Sequence, residues 1–66
     1  MKATVNGQPR ELPEGCTIGA LLETLGTVRN GVAVARNDSV VPRAQHDSCA
    51  IAEGDRIEII RAVAGG

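Results

Sequence analysis

The sequence predicts a small two-layer α+β domain in which one helix covers one face of a mixed sheet of four to five strands. Segments with the period-2 alternation of strands stand on both sides of a single amphipathic helical segment, in the order ββαββ. Prolines mark the two candidate edge strands, because proline cannot donate a ladder hydrogen bond. The 66 residues leave room for one domain, residues 1–66, with a marginal core.

The chain starts with a predicted β-hairpin. Apolar and polar residues alternate from Met1 to Val5, and Asn6-Gly7 follows as a strong two-residue turn signal. The second strand is expected to run from Gln8 to Leu12. Pro9 lies inside this strand and therefore places it at a sheet edge.

One helix is predicted between Thr17 and Gly26. Thr17 is a suitable N-cap, and Gly26 can end the helix in a left-handed conformation. Cys16 precedes the cap and Leu21 lies four residues inside, the spacing of a hydrophobic staple, so we expect Cys16 to pack in the core. Four apolar residues form one stripe that faces the sheet: Ile18, Leu21, Leu22 and Leu25.

A second pair of strands follows the helix. Gly31 to Arg36 is predicted as a strand, and Asn37-Asp38 turns it into a short strand at Val40-Val41. Pro42 places this second hairpin at the other edge of the sheet. The segment that follows, residues 43–52, has no clean period.

The last strand is predicted from Arg56 to Ala64, after a turn at Glu53-Gly54-Asp55. Because the outer strands carry the prolines, we expect the last strand to pair in parallel with Met1 to Val5 in the middle of the sheet. The Ile18 to Leu25 helix should then pack over four inward-facing residues: Val5, Val34, Ile57 and Ile59.

Composition argues against several classes of function. The chain has no Phe, Tyr or Trp to stack on bases and a formal net charge of -1, so nucleic acid is an unexpected partner. No apolar run approaches the roughly 20 residues of a membrane span, and the start lacks a signal peptide, which favours a cytoplasmic protein without membrane partner. Cys16 and Cys49 are expected to be reduced thiols and indicate no metal site.

The end of the chain is the candidate reactive group. Gly65 and Gly66 follow the last predicted strand, and a tail of about residues 62–66 is expected to be flexible. Glycine has no Cβ, so this tail fits a channel too narrow for other residues and presents the main-chain carboxylate of Gly66. A frayed end without function is the alternative.

Three other residues are candidates for a partner-binding patch. Ile60 alternates away from the inward side of the last strand and would lie exposed beside Ala33 and Ala35. A neutral surface is the alternative, because small exposed apolar patches are common. His46 is expected in a surface loop, and neither His46 nor Cys49 has a neighbour that suggests acid-base catalysis, so no catalytic residue is predicted.

Several motifs together resemble the ubiquitin-like β-grasp sulfur carriers, and among them the carrier of thiamine thiazole synthesis. The most specific is Glu53-Gly54-Asp55-Arg56-Ile57-Glu58-Ile59-Ile60, which runs on to the terminal Gly-Gly. Val5-Asn6-Gly7, Thr17-Ile18 and Val40-Val41-Pro42-Arg43 add to the match. The chain departs from the family at Asn37-Asp38, where Asn-Gly is usual, and at His46, where many members have an aromatic residue.

The resemblance implies that the protein is a substrate of other enzymes and no enzyme itself. An adenylyltransferase similar to the ubiquitin-activating type would use ATP to adenylate Gly66, with Gly65 giving access to its channel. Sulfur from a donor such as a cysteine desulfurase would convert the adenylate to a thiocarboxylate, which thiazole synthase would consume. This chain has no phosphate-binding loop, so we expect it to bind no cofactor.

Three alternatives stay open from the sequence. The small subunit of molybdopterin synthase shares the fold and the tail, although such subunits are usually longer and many carry Pro-Pro where this chain has Arg61-Ala62. A ubiquitin-like modifier that becomes linked to lysines would share the adenylation step. A plain interaction module would not need the terminal glycines.

Overall fold

The computed structural model describes residues 1–27 and 31–61, and in this part of the chain one helix lies across a five-stranded sheet. A short 3₁₀ helix, Arg43–Gln45, connects the last two strands. The predicted two-layer architecture is confirmed, but three strands follow the helix, so the order is ββαβββ and not the predicted ββαββ. The strands are β1 (Lys2–Val5), β2 (Gln8–Glu11), β3 (Val32–Arg36), β4 (Ser39–Val41) and β5 (Arg56–Arg61), and the helix is α1 (Ile18–Thr24).

The strands lie in the order β2-β1-β5-β3-β4. β1 and β5 are parallel, with Val5 opposite Ile57, and the other pairs are antiparallel. This confirms the parallel pairing that the edge prolines predicted. Pro9 lies in edge strand β2. Pro42 lies just beyond edge strand β4 rather than inside it and precedes the 3₁₀ helix.

Two tight turns determine the register of the hairpins. Asn6 and Gly7 have φ values of 50° and 81°, and Asn37 and Asp38 have φ values of 49° and 71°. A type I′ turn requires positive φ at both central residues, which Asn and Asp tolerate better than most residues. Asn37-Asp38 therefore serves as a two-residue turn without glycine.

Both ends of α1 have the predicted caps. The Thr17 side chain accepts a hydrogen bond from the Ala20 backbone at 3.1 Å, as an N-cap does. At the other end Gly26 has a φ of 68°, and the Thr27 N–H donates to the Leu22 carbonyl at 2.9 Å. This bond, from the second residue after the C-cap Leu25, is typical of a Schellman motif. The sequence alone predicted where this helix stops.

The core lies between α1 and the inner face of the sheet. Because the chain has no aromatic residue, aliphatic side chains and one thiol fill this space. The predicted packing of the helix over the inward-facing strand residues is confirmed, with Ile59 partly buried at its border. The buried cluster consists of Ala3, Val5, Leu12, Cys16, Ile18, Leu21, Leu22, Val34, Ile51 and Ile57.

The buried carboxylate of Asp55 connects the start of β5 to the β3–β4 hairpin through hydrogen bonds and an ion pair. Asp55 accepts hydrogen bonds from the Ala52 backbone at 2.8 Å and from the Asn37 side chain at 3.0 Å. The Arg36 guanidinium lies 2.8 Å from the same carboxylate. Asp55 is only 7% exposed, so these partners replace the water that it loses on folding.

The charged form of Asp55 is favoured in the folded protein. Burial raises its pKa, but the hydrogen bonds from Ala52 and Asn37 and the charge of Arg36 outweigh burial, and the pKa lies below the ordinary value of 3.8. A lowered carboxylate pKa stabilises the fold above the unfolded-state pKa, and this stabilisation is lost as pH falls through the folded-state pKa.

We predict that Asp55→Asn lowers the free energy of unfolding by about 1–3 kcal/mol at pH 7, because three donors lose a charged acceptor. The difference from wild type should shrink as the pH falls from 4 toward 2, where the wild-type carboxylate is itself protonated. Urea denaturation followed by far-ultraviolet circular dichroism at several pH values measures it.

Asp38→Asn is the matched control. Asp38 forms an exposed ion pair with Arg56, and such pairs contribute only about 0–1 kcal/mol. A difference between Asp55→Asn and wild type that is the same at pH 7 and pH 2 would contradict the role of the charge.

Candidate functional site

The strand that leads toward the predicted reactive tail is the central strand of the sheet. β5 pairs with β1 on one side and β3 on the other, and Arg61 lies opposite Val32. The Ile59 N–H also donates to the Asn6 side chain at 2.8 Å, which extends the contact with the first hairpin. Gly65 and Gly66, the predicted tail-access and modified residues, lie outside the described residues. Pairing with β1 reaches Ile57 and the Asn6 contact reaches Ile59, whereas pairing with β3 continues to Arg61.

The predicted partner-binding residues share the sheet face opposite α1. Ile57 is fully buried on the helix side, whereas Ile60 points away from the helix and is 60% exposed. Ala33 lies directly opposite Ile60 and is also exposed. Ala35, two residues along β3, is half-buried on the same face. The structure therefore brings Ile60, Ala33 and Ala35 together.

Val40 belongs to the same surface and was missed from the sequence. It lies opposite Ala35 in β4 and is 74% exposed. The signal was present, because a two-residue turn at Asn37-Asp38 sets Val40 across from Ala35. We call Ala33, Ala35, Val40 and Ile60 the open-face patch.

The two cysteines lie near the start of α1, and both are free thiols, as predicted. Cys16 is buried in the core, which confirms the packing interpretation. Cys49 is half-buried, and its Sγ lies 3.6 Å from Nη1 of Arg36. Across residues 1–27 and 31–61, no three His, Cys, Asp or Glu side chains are grouped so that they could hold a metal ion.

The prediction that His46 lies on the surface is wrong, because His46 is only 2% exposed. Its Nε2 lies 3.1 Å from the Val41 carbonyl, so Nε2 carries the proton and donates. Nδ1 is buried and has no hydrogen-bond partner in the described part of the chain. The 3₁₀ helix turns this ring inward, and the His46 carbonyl accepts from the Gly19 N–H at 2.8 Å. His46 therefore supports the start of α1.

Within the described ranges, no helix combines the length and the apolar character that a membrane span needs.

Comparison with known proteins identifies the family. The sequence pattern of the ThiS family matches residues 3–66, nearly the whole chain. The chain belongs to the ThiS family. The sulfur carrier protein ThiS of Escherichia coli is 35% identical over 66 residues, and the alignment covers 100% of both chains. The crystal structure of thiamine biosynthesis protein ThiS from Geobacter metallireducens superposes with a TM-score of 0.85 at 30% identity and covers 100% of both chains.

A longer relative contains a segment similar to this chain. The thiazole synthase of Paramagnetospirillum magneticum is 38% identical over 66 residues, and the chain spans only 20% of the length of that relative. The predicted ThiS-type family and β-grasp fold are both confirmed by these comparisons.

The most specific ThiS motif has a structural explanation. Gly54 has a φ of 82°, a left-handed conformation that favours glycine. Asp55 is the buried hydrogen-bond acceptor, and Ile57 is fully buried in the core. Glu58 and Ile60 point to the open face instead. The motif therefore starts the central strand and aligns the residues that precede the tail.

We predict that His46→Ala lowers the free energy of unfolding by about 2–4 kcal/mol, because it leaves a cavity in a buried position. His46→Phe should lower the free energy of unfolding less than His46→Ala does, because the phenyl ring fills the cavity and removes the unpaired Nδ1. Gln45→Ala, at an exposed neighbouring position, should change stability by less than about 0.5 kcal/mol. Urea denaturation measures all three, and equal losses for His46→Ala and Gln45→Ala would contradict the assigned burial.

Proposed function

We propose that this protein is a sulfur carrier of thiamine biosynthesis and that its reacting group is the carboxylate of Gly66. The observation that carries the proposal is the ThiS family match, which extends to residue 66 and so includes the two terminal glycines. The protein acts as a substrate that partner enzymes modify and supplies no catalytic residue.

The chemistry explains why a partner enzyme must activate Gly66. A carboxylate is a poor electrophile, whereas a mixed anhydride with AMP has a good leaving group and an accessible carbonyl carbon. An adenylyltransferase of the ubiquitin-activating type therefore joins Gly66 to AMP and releases pyrophosphate. The outer sulfur of a persulfide on a donor such as a cysteine desulfurase then attacks the carbonyl carbon and displaces AMP, which leaves an acyl disulfide. A second thiol attacks the donor sulfur of this disulfide, forms a new disulfide with it and releases the thiocarboxylate. ATP binds to the adenylyltransferase and not to this chain.

The position of Arg61, the residue from which the tail extends, suits presentation of the Gly66 carboxylate to a partner enzyme. β5 lies between β1 and β3, and its pairing with β3 continues to Arg61, so the tail starts at a residue that is fixed in the sheet. Five residues follow Arg61, and they span at most about 18 Å when fully extended. A fixed root and a short reach place the reacting carboxylate in a defined position once the domain has docked.

Thiazole synthase is the proposed acceptor of the sulfur. The thiazole synthase of Paramagnetospirillum magneticum contains a segment 38% identical to this whole chain, which supports a direct functional link between the two proteins. The ThiS family match also favours the thiazole pathway over the role of a molybdopterin synthase subunit.

The open-face patch is the proposed docking surface for these enzymes. Val40 and Ile60 are the two large apolar side chains that stand out as exposed in the described part of the chain, and both lie on this face. Ile60 also lies only one residue before Arg61, so a protein that covers the patch also contacts the root of the tail. Exposed apolar groups beside a functional segment are typical of interaction sites.

We predict that deletion of Gly66 abolishes sulfur loading and that Gly65→Val reduces it at least about 100-fold, because correct placement of the reacting atom is worth that much. The experiment incubates each chain with the adenylyltransferase, ATP and a sulfur source and measures its intact mass. Circular dichroism checks folding, and both variants should match wild type because the changes lie beyond the described core.

Sulfur loading of the chain that lacks Gly66 would end the proposal. A wild-type chain that instead becomes linked to other proteins through lysine would favour a ubiquitin-like modifier.

We predict that Ile60→Asp raises the KM for the carrier in adenylation about tenfold, because a charge enters the apolar contact. The melting temperature should stay within about 3 °C of wild type, since Ile60 is exposed. Ala20→Asp adds the same charge on the exposed side of α1 and should leave both quantities unchanged. An unchanged KM for Ile60→Asp would place the docking surface elsewhere.

A further inference from the structure

A second surface feature lies on the helix side of the sheet, at the end of β5 that leads toward the tail. It is a groove of roughly 370 Å³ between the first hairpin, the end of α1 and β5. Arg61, the last described residue, forms part of its wall. Its lining residues are Val5, Asn6, Gln8, Arg10, Leu25, Thr27, Ile59 and Arg61.

The groove exists because the helix does not cover the edge strand. In β2, Gln8 lies opposite Val5 and Arg10 lies opposite Ala3, so both side chains are on the helix side. All residues of β2 are nevertheless exposed. Since α1 has only seven residues, the space between β2 and the helix end stays open. Arg10 therefore lies on the helix side of the sheet but in contact with solvent, at a position that a longer helix would cover.

Two guanidinium groups line the same groove without partners. Arg10 and Arg61 are both exposed, and within residues 1–27 and 31–61 neither guanidinium group takes part in a hydrogen bond or an ion pair. By contrast, Arg36 and Arg56 each have a carboxylate partner. The formal net charge of the chain is -1, so this pair of cations is a local feature rather than part of a basic protein.

The base of the groove is apolar. Val5 is buried, and Leu25 and Ile59 are partly buried hydrophobic residues at the border of the core. An apolar base between two cations fits a peptide segment that combines acidic and apolar side chains. It fits a nucleic acid poorly, because the groove offers no aromatic surface for stacking.

The geometry points to this groove as the docking site for an acidic segment of the activating adenylyltransferase. The inference rests on the proposed function. Arg61 directly precedes residues 62–66, so an enzyme that takes up the tail must approach the groove. The open-face patch lies on the opposite side of the sheet, and the enzyme therefore contacts both faces of the sheet around the end of β5. The groove supplies charge complementarity, which accelerates encounter and selects the partner.

The first experiment measures adenylation of the full chain as a function of carrier concentration and salt. Arg10→Glu and Arg61→Glu should each raise KM about tenfold, and Arg10→Lys should retain most of the wild-type behaviour because it keeps the charge. The wild-type KM should rise with ionic strength, and the double variant should lose this salt dependence. Arg43→Glu, with the same change of charge on the 3₁₀ helix, is the control and should resemble wild type in both respects.

The second experiment does not depend on the enzyme. The acidic peptide Ac-Leu-Glu-Asp-Leu-Glu-NH₂ is titrated into ¹⁵N-labelled full-length chain, and amide shifts are followed by NMR. Shifts should concentrate at Arg10, Leu25, Thr27 and Arg61 and should disappear in the Arg10→Glu, Arg61→Glu double variant. An oligonucleotide of eight thymidines serves as the nucleic-acid probe and should cause no shifts at these residues.

The outcomes separate this inference from the proposed function. A wild-type chain that is not adenylated overturns the proposed function, and the peptide titration still tests the groove. A wild-type chain that is adenylated, with unchanged KM and salt dependence in the double variant, overturns the groove alone. Peptide shifts spread over the whole surface, or a preference for the oligonucleotide, also overturn it.

Discussion

The parallel pairing of β1 with β5 is the contact on which the rest of the structure depends. It joins segments more than 50 residues apart, and its backbone hydrogen bonds include those from Thr4 N–H to the Asp55 carbonyl and from Asn6 N–H to the Ile57 carbonyl, both at 2.9 Å. Each hairpin alone would be marginal in water. Pairing through β5 joins both hairpins into one sheet and buries Ile57, which offsets the loop-closure entropy of so distant a contact.

The parts of the fold that depend on local chemistry could be predicted from the sequence. The turns follow from Asn and Gly, the helix ends from Thr17 and Gly26, and the edge strands from proline, because each signal acts within a few residues. His46 could not be placed in this way. Its burial depends on a segment without a clean period whose carbonyl groups accept hydrogen bonds from Ile18 and Gly19 at the start of α1, and these distant contacts leave no signal in the local sequence. A single polar residue in such a segment resembles a loop residue until its tertiary contacts are known.

The candidate site shows the same division. Ile60, Ala33 and Ala35 could be grouped because strand residues alternate with period 2, and the structure places them on one face. Val40 required the register between strands, and Arg10 required knowledge that the helix is too short to cover β2. The tail glycines stay a prediction, since they lie outside the described residues. The alternation of residues along a strand determines which face of the sheet a side chain lies on. The length and position of the neighbouring strands and helix determine whether that side chain is covered.

The central position of β5 also has a consequence for how the protein is made. Synthesis from the amino terminus produces β1 and α1 long before β5, so the sheet can close only after residue 61 has been made. A chain broken before residue 61 loses the strand that joins its two hairpins and exposes apolar surface to proteases. Every folded molecule therefore contains the intact root of its own tail. Folding therefore tests whether β5 is present, and a partner that recognises the folded sheet meets only chains that retain the strand leading into the tail.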